Sequence, residues 1–416
     1  MRVAIVSYYT PPDPAVASHR VLRMSRALLR EGHEVHWVTL DRQQLLREDA
    51  SLGSLVPDGV VRHELGGPTL ASRPAARNLV ERVLRTIYHH LPSWLALPDK
   101  HVEWALRLRR RLPELGRVHG FDAVVMTCGP HGQLLSLPRL RRALPRAKIL
   151  VDYRDLLSGN PWTQAARPRV RARLRARERR LLAHADGLFV NSTQARASFV
   201  ASFGELELPV VVMRNAADYE LAEEAVAGAA AQPPAADVVL GYFGTIFPRR
   251  MLTPVFAAME RLPAAQLDRV QVDVYCDAGD SRILLERDLE QVRPEVAARV
   301  CRRDYLPYRE ALSAMRAASA LLLVNGRDPA DDVFVPGKLF DYVMARRPTL
   351  FVGGHGDARE IVARTSGSAW CFGHDDLDGV AAAIARLLDG ADQLERVADY
   401  DGGVTFSPLL RALRDE

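Results

Sequence analysis

The sequence predicts an α/β protein with two doubly wound parallel sheets, and three observations support this prediction. Short apolar runs such as RVAIVSYY and FDAVVMTC recur along the chain, and amphipathic stretches of helical period separate them. Strands that alternate with helices in this way build parallel sheets. The alternation stops over residues 216–236, which are rich in Ala, Gln and Pro, and then resumes. With 416 residues, the chain is long enough for two separate cores.

The first half opens with a strand (RVAIVSYY), a loop (TPPDPAVAS), a helix ending at Gly32 and a second strand (EVHWVTL). Further strands are predicted at KILVDY, GLFVNS and PVVVMRN, and in the second half at VVLGYFG, VQVDVYC, ALLLVNG and TLFVGG. We therefore expect an N-terminal domain over residues 1–213, a linker over 214–236 and a second domain over 237–390. The remaining residues, 391–416, are predicted to be helical and to pack back on the first domain.

The composition is typical of a soluble globular protein, with 48% hydrophobic and 26% charged residues. No apolar run approaches the length of a membrane span, and the opening segment is too short before its prolines for a signal peptide. The four cysteines are far apart and form no CxxC pair, which argues against a disulfide framework or a zinc site. We expect a cytoplasmic protein, with the inner face of the cytoplasmic membrane as a second location.

The charge is divided unevenly along the chain. Residues 1–213 carry 33 basic and 19 acidic residues, whereas the remainder carries 23 basic and 32 acidic ones. A basic first half suits an anionic partner such as a phospholipid or a lipid-linked phosphate. Residues 167–185 hold eight arginines and form either a solvated helix or a surface facing the membrane or the acceptor. No aromatic stacking pattern accompanies them, so we expect no nucleic-acid partner.

The segment DDVFVPGKLFDYVMARRPTLF (331–351) places a cation in an unfavourable position. Lys338 falls in the first turn of a predicted helix, where the helix dipole makes a cation cost a few tenths of a kcal/mol. A diphosphate bound at that helix terminus would reverse the effect. Gly337 would let the backbone approach the phosphates, and Asp341, one turn on, could accept hydrogen bonds from a ribose. The alternative is a solvated Lys338, or one paired with the Asp331–Asp332 dipeptide.

Three other predicted strand ends carry polar residues. In YFGTIFPRRM the strand ends at Gly244, and a helix is predicted after the proline with Arg249 and Arg250 at its N-terminus. In TCGPHGQLL, His131 would stand at the carboxyl edge of the sheet, where α/β proteins bind ligands. The third strand end, VDYRD, could form an internal ion pair or line a cleft through Asp152, Arg154 and Asp155.

The order of these motifs resembles a GT-B fold glycosyltransferase of the large retaining, family 4-like group that includes many bacterial envelope and polysaccharide enzymes. YYTPPDPAVASHR resembles that family's opening strand and acceptor loop, GPHG its histidine loop, and DYRD with the following NPW its DxRDxW stretch. YFGTIFPRR resembles its diphosphate turn, and VPGKLFDYVMARRPTLF its KxxEY segment. The resemblance covers nearly the whole chain.

The resemblance implies two Rossmann-like domains facing a central cleft, with the acceptor on the first and the nucleotide sugar on the second. It assigns Arg250 and Lys338 to the diphosphate and His131 to the transferred sugar, and we predict these three as catalytic. The other sugar-donor-binding residues implied are Gly244, Thr245, Arg249, Pro336, Gly337 and Asp341. On the acceptor side, the implied residues are Ser18, His19, Arg20, Arg154 and Asp155.

This chain departs from the family pattern at several positions. The first acid of the family's E-x7-E pattern falls at Val333, and the arginine of its diphosphate turn is Thr245 here. The glycine pair of the first loop is replaced around Ala15 and Ala17. Metal-dependent glycosyltransferases of the other class carry a DxD sequence. The DxD sequence of this chain, Asp376–Asp378, is more typical of an acidic turn at a helix N-terminus. We predict no metal and no cofactor.

The implied reaction transfers a sugar from a nucleotide diphosphate to an acceptor hydroxyl with retention, in the synthesis of cell-envelope glycans or glycosylated natural products. The acceptor is predicted to be lipid-linked or anionic from charge alone. A non-catalytic partner subunit of the same fold is an alternative that Val333 favours, whereas His131, Lys338 and Asp341 argue against it. An epimerase or a phosphorylase is a further alternative, but lysines are few and no group of carboxylates and histidines is evident.

Overall fold

The computed structural model describes residues 1–66, 99, 101–162, 168–204, 206–227, 236–390 and 393–414. The chain forms two compact units. The first unit comprises Met1–Ala216 together with Gly402–Glu416, and the second comprises Ala217–Asp401. The chain therefore returns to the first unit at its C-terminal end.

The first unit is built on a seven-stranded parallel sheet with the order β3-β2-β1-β4-β5-β6-β7. The jump from β1 to β4 is the point at which the winding reverses, as in doubly wound folds. The inner strands are apolar runs buried along almost their whole length, which parallel sheets require because helices cover both faces. The strands are β1 Arg2–Val6, β2 Glu34–Leu40, β3 Val60–Leu65, β4 Ala123–Cys128, β5 Lys148–Tyr153, β6 Gly187–Val190 and β7 Val210–Val212.

The last helix of the chain belongs to the core of the first unit. Leu409 and Leu413 of this helix, and Phe406 just before it, share one buried cluster with Val21 and Met24 of the first helix. Their spacing puts the apolar side chains on one helical face. The α-helices of this unit are α1 Val16–Arg30, α2 Ala50–Gly53, α3 Val102–His119, α4 Leu137–Ala143, α5 Pro168–Leu182, α6 Thr193–Phe203, α16 Gly402–Thr405 and α17 Ser407–Arg414.

The second unit repeats this architecture with a six-stranded parallel sheet in the order β10-β9-β8-β11-β12-β13. The winding reverses between β8 and β11. The strands are β8 Val238–Phe243, β9 Val270–Tyr275, β10 Val300–Arg303, β11 Ala320–Val324, β12 Thr349–Val352 and β13 Cys371–Phe372. The α-helices are α7 Tyr219–Val226, α8 Thr253–Met259, α9 Ala264–Leu267, α10 Asp280–Leu289, α11 Pro294–Ala297, α12 Tyr308–Ala317, α13 Lys338–Ala345, α14 Asp357–Thr365 and α15 Leu377–Arg386.

The strands that the sequence analysis missed are β3, β10 and β13, and all three lie at sheet edges. An edge strand has one free side, so VVRHEL and VCRR keep charged side chains and lack the apolar run that identifies an inner strand. Within the described ranges, no helix combines the length and apolar character needed to cross a bilayer.

Candidate functional site

The candidate site for the sugar donor lies at the reversal point of the second sheet, between the carboxyl ends of β8 and β11. Doubly wound sheets bind ligands at this point, because helices leave the sheet there in opposite directions. After β8, Gly244 turns the chain with a φ of 101°, and its amide donates to the Tyr275 carbonyl over 2.9 Å. The Tyr242 hydroxyl donates to the carbonyl of Thr245 over 2.8 Å and holds this turn against the strand.

Lys338 begins helix α13 and points its amine into this turn. Its Nζ lies 3.5 Å from the centroid of the Tyr242 ring. The Nζ is shielded from solvent and has no hydrogen-bond partner among the described residues, so the predicted alternative of an ion pair with Asp331 or Asp332 is wrong. Burial, and then the positive charge of Arg250, lower the pKa of Lys338 well below its usual value.

The two arginines after β8 have different surroundings. The prediction that they open a helix is wrong: α8 begins at Thr253, and Arg250 lies in a turn where its amide donates to the Phe247 carbonyl over 2.8 Å. The Arg250 guanidinium stands 5.4 Å from the centroid of the Phe334 ring. The half-exposed Arg249 instead contacts the buried carboxylate of Asp331 at 3.2 Å.

The acidic residues of this region have partners of their own. Asp332 accepts the His355 amide over 3.1 Å, on the loop that follows β12. Asp341, one turn into α13, is buried and accepts a hydrogen bond from the Tyr308 hydroxyl at 3.4 Å. Asp376 accepts the Gly379 amide at the start of α15, which confirms that the DxD sequence is a helix N-terminal turn.

The remaining positions of the phosphate segment come before α13. Gly337 is partly exposed and takes right-handed helical angles, φ −59° and ψ −34°, so its conformation does not demand a glycine. Pro336 is also partly exposed, and Val333 ends a short 3₁₀ turn over Pro329–Val333.

In the first unit, His131 lies after β4, next to the end of β5. Its Nε2–H donates to the Asp155 carbonyl over 2.8 Å, and its ring meets the Tyr153 ring edge-on at 5.2 Å. Burial lowers the pKa of His131, which favours the neutral ring. The hydrogen bond assigns the proton to Nε2 and leaves Nδ1 as an acceptor.

Arg154 lies beside the same loop. Its guanidinium donates to the carbonyls of Cys128 and Gly129 and stands 6.0 Å from the Tyr9 ring centroid. Asp155 presents an exposed side chain. His131, Arg154 and Asp155 therefore come together at the carboxyl edge of the first sheet.

Two residues predicted on the acceptor side have structural positions instead. The Arg20 guanidinium is 1% exposed and forms a two-pronged ion pair with the buried Asp152, at 2.8 and 2.6 Å. It also donates to the carbonyls of Met213 and Arg214, so it has no group left for an acceptor. Ser18 is fully buried. We withdraw both from the site, whereas the neighbouring His19 is partly exposed.

Glu178 is a residue of this region that the sequence analysis missed. It is the single acid among the arginines of segment 167–185, and its carboxyl group is buried. It accepts hydrogen bonds from the Tyr153 hydroxyl at 2.9 Å and from the Ser158 amide at 3.2 Å. In the sequence, a single acidic residue among eight arginines is the feature from which Glu178 could have been recognised. Glu178 thereby holds the loop after β5, whose Asp155 carbonyl anchors His131.

The buried carboxyl of Glu178 predicts a pH-dependent stability. Burial raises the pKa of Glu178 to about 7 in the folded protein, from 4.5 when exposed. Because the pKa of Glu178 is higher in the folded than in the unfolded chain, its contribution to the free energy of unfolding is complete below pH 4.5. That contribution is lost as the pH rises towards 7. The loss amounts to about 3 kcal/mol.

We therefore expect the free energy of unfolding of the wild type, relative to Glu178→Gln, to fall between pH 4.5 and 7 and to stay level above. Urea unfolding at pH 5, 6, 7 and 8 measures the difference. Glu114→Gln, at an exposed acid of the same unit, serves as the control and should follow the wild type. An equal pH slope in wild type and Glu178→Gln would show that this carboxyl is ionised in the fold throughout the range.

Comparison with known proteins agrees with this architecture. A family model described as a glycosyl transferase 4-like domain matches residues 17–216. No curated protein matches the chain. Solved structures do match it, including the UDP-forming α,α-trehalose-phosphate synthase of Burkholderia xenovorans in complex with glucose-6-phosphate, at 15% identity and a TM-score of 0.67. That similarity covers 100% of both chains.

Two other solved structures were determined with ligands. The trehalose-6-phosphate enzyme of E. coli, bound with UDP-2-fluoro glucose, is 13% identical with a TM-score of 0.64 over 100% of this chain and 99% of its own. Anabaena HepE, in complex with UDP and glucose, is 12% identical with a TM-score of 0.62 over 100% of both chains. At these identities the similarity establishes the fold. The chain has the two-domain, Rossmann-like GT-B fold, and its residues 17–216 match the glycosyl transferase 4-like family model.

Proposed function

We propose that this protein transfers a sugar from a nucleoside diphosphate to an acceptor hydroxyl, with retention at the sugar carbon and without a metal ion at the reacting centre. The observation that carries the proposal is the buried amine of Lys338 at the start of α13, for which the described part of the chain offers no hydrogen-bond partner. A diphosphate is the anion that would suit this position, because the free amides of a helix N-terminus bind phosphate oxygens. Two of the structurally similar proteins were solved with UDP or a UDP-sugar analogue.

The reaction needs the negative charge of the departing nucleoside diphosphate to be stabilised. Lys338, Arg250 and the dipole of α13 supply positive potential at one place and in fixed positions, which is an efficient way to stabilise a developing charge. Gly244 and Thr245 line the turn on the β8 side. Asp341 is assigned to the ribose hydroxyls, and Arg249 supports the site through Asp331.

We assign the acceptor to the first unit. His131, with its neutral ring and an accepting Nδ1, is the candidate for contact with a sugar hydroxyl. Arg154, Asp155 and His19 are the remaining candidates on the carboxyl edge of this sheet. The acceptor class we propose is a lipid-linked or otherwise anionic glycan of the bacterial envelope, because the first 213 residues carry an excess of 14 positive charges.

Binding of nucleoside diphosphates tests the sugar-donor site. We expect UDP, GDP, dTDP or ADP, at a hundred times its dissociation constant, to add about 2.7 kcal/mol of apparent stability. Lys338→Ala and Asp341→Ala should both abolish the shift, whereas Arg261→Ala, at an exposed arginine of the same unit, should retain it. CMP, which has a single phosphate, is the control for the contribution of the second phosphate to binding. A shift that survives in Lys338→Ala would place the nucleotide elsewhere.

Turnover separates an enzyme from the alternative, a non-catalytic partner subunit, which the loss of a family acid at Val333 favours. We expect release of the free nucleoside diphosphate from one sugar nucleotide, faster in the presence of acceptor. Proton NMR of the product then reports whether the anomeric configuration is retained. Binding without any release in the presence of membrane and glycan fractions would support the partner subunit.

The arginines of α5 form a basic surface that we propose as a contact with anionic lipid. Arg169 and Arg173 are exposed on this helix. We expect the protein to sediment with anionic liposomes at low salt and to be released at high salt, because salt screens surface charges. Arg169→Gln/Arg173→Gln should weaken sedimentation, and Arg109→Gln/Arg110→Gln, with the same charge loss on α3, should not. Equal sedimentation with neutral liposomes would refute the proposal.

A further inference from the structure

Three histidines from separate segments of the first unit lie together, far along the sheet from the loops of the candidate site. His36 is on β2, His63 on β3 and His119 at the end of α3. Each offers a ring nitrogen, and these three atoms lie within 4.8 Å of one another. His36 Nδ1 and His63 Nε2 are 2.9 Å apart, and the rings of His63 and His119 have centroids 4.4 Å apart. His36 is the third of seven residues of β2 and His63 the fourth of six residues of β3, whereas His131 follows the carboxyl end of β4.

A second observation concerns the carboxylate behind the first ring. Glu34 Oε1 accepts the proton of His36 Nε2 over 2.8 Å. The other oxygen of Glu34 accepts Arg2 Nε over 2.9 Å, which fixes the carboxylate in place. The proton of His36 is therefore on Nε2, and the lone pair of Nδ1 faces the other two rings. Histidines that bind metals characteristically donate their second ring N–H to a carboxylate in this way, because the hydrogen bond sets the ring orientation and raises the ligand's basicity.

The surroundings of the cluster also suit a bound cation. Phe121 covers the cluster on one side, with its ring 5.2 Å from that of His36 and 5.9 Å from that of His119. His36 is 3% exposed, whereas His63 and His119 are partly open to solvent. An apolar wall limits competing hydrogen bonds, and the open side leaves room for a water molecule as a further ligand.

We propose that His36, His63 and His119 bind a zinc-class transition-metal ion, with Glu34 orienting His36 and solvent in the fourth position. Imidazole nitrogens suit Zn²⁺, Co²⁺, Ni²⁺ and Cu²⁺. In a tetrahedral zinc site the ligand nitrogens stand about 3.3 Å apart, since the Zn–N distance is about 2.0–2.1 Å. The cluster reaches that spacing when His36 and His63 separate by a few tenths of an ångström and His119 turns towards them. Binding of the metal at His63 Nε2 requires the neutral ring to carry its proton on Nδ1, so the hydrogen bond from His63 to His36 gives way to the two metal bonds.

This site is separate from the reacting centre, for which we propose no metal. The sequence argument against a zinc site rested on the spacing of the four cysteines and did not include these histidines. A metal here would join the edge strand β3 and the end of α3 to β2. Its expected effect is therefore on the stability of the first unit, and the test does not depend on sugar transfer.

Equilibrium dialysis of the untagged full chain against Zn²⁺, after removal of metal with a chelator, measures the site. We expect one zinc ion per chain, lost in His63→Asn and in His119→Asn. Glu34→Gln should weaken binding roughly 10–100-fold. His184→Asn, which removes a histidine of the same unit outside the cluster, should bind zinc like the wild type. Co²⁺ in place of zinc should give the visible absorption bands of a tetrahedral site.

Thermal unfolding shows whether a variant that binds no zinc is still folded. With EDTA present, His119→Asn and Glu34→Gln should melt within a few degrees of the wild type, because both side chains are partly exposed. Zinc should raise the Tm of the wild type and leave that of His119→Asn unchanged. Equal zinc binding by wild type and the histidine variants, or no binding by the wild type, would show that the three rings form only a hydrogen-bonded aromatic cluster.

Discussion

Lys338→Met is expected to stabilise the protein and at the same time to abolish binding of the nucleoside diphosphate. The Lys338 amine is buried over the Tyr242 ring, and none of the residues that the structure describes gives it a hydrogen bond. An unsatisfied buried polar group costs about 1–3 kcal/mol, and Met fills a similar volume without that cost. The free energy of unfolding should rise by about that amount, while the stabilisation by the diphosphate disappears. Residues that serve binding often lower the stability of the ligand-free protein, and replacing them then raises stability while binding is lost.

Urea unfolding with and without the diphosphate measures both effects. Lys148→Met is the matched control, since Lys148 Nζ donates to the Ala412 carbonyl and has its partner within the first unit. We expect this variant to lose stability and to keep the nucleotide effect. A Lys338→Met variant that is less stable than the wild type would show that the amine stabilises the fold by itself, which contradicts its assignment to a diphosphate.

Arg20→Met is expected to lower the free energy of unfolding by about 3–5 kcal/mol. The substitution leaves the Asp152 carboxylate charged, with 0% of its side chain exposed and without its ion-pair partner. It also removes the donors to the carbonyls of Met213 and Arg214, where the first unit ends. Because Arg20 lies in the first unit, the stabilisation of the second unit by a nucleoside diphosphate should remain.

A double-mutant cycle separates the ion pair from the other contacts of Arg20. Arg20→Met/Asp152→Asn removes both charges and should recover at least about 1 kcal/mol of the loss in Arg20→Met, because contacting pairs couple by about 0.5–3 kcal/mol. Arg111→Met breaks an exposed pair with Glu114 and should cost less than about 1 kcal/mol. If Arg20→Met is as stable as wild type but loses transfer activity, the original assignment of Arg20 to the acceptor was right.

The inner strands and the helix of Lys338 could be predicted from the sequence because each has a strong local signal. The buried residues of β2 and β5 are mostly apolar, and α13 begins directly after the predicted break at Gly337. β3 and β13 could not be predicted in this way. β3 contacts one neighbouring strand and solvent, so charged side chains interrupt its apolar residues, whereas β13 has only two residues, too few to form a recognisable run.

The side-chain partners depended on contacts between distant parts of the chain. The pair of Arg20 with Asp152 joins residues 132 positions apart, and either side chain taken alone suits a ligand site equally well. The same holds for Glu178 and for the three histidines, whose segments are separated by at least 27 residues. Burial decides the role of such groups, and burial is a property of the folded chain.

The sequence by itself determined the two α/β halves, the polar residues at their strand ends and the unusual position of Lys338, because helix and strand periods and the helix dipole act over a few residues. Only the tertiary structure decided which of those polar groups have partners. It gave Arg20 a buried carboxylate, gave Arg249 an acid and placed the Lys338 amine over the Tyr242 ring. The physical reason is desolvation: a charge removed from water must be matched by whatever the fold brings beside it.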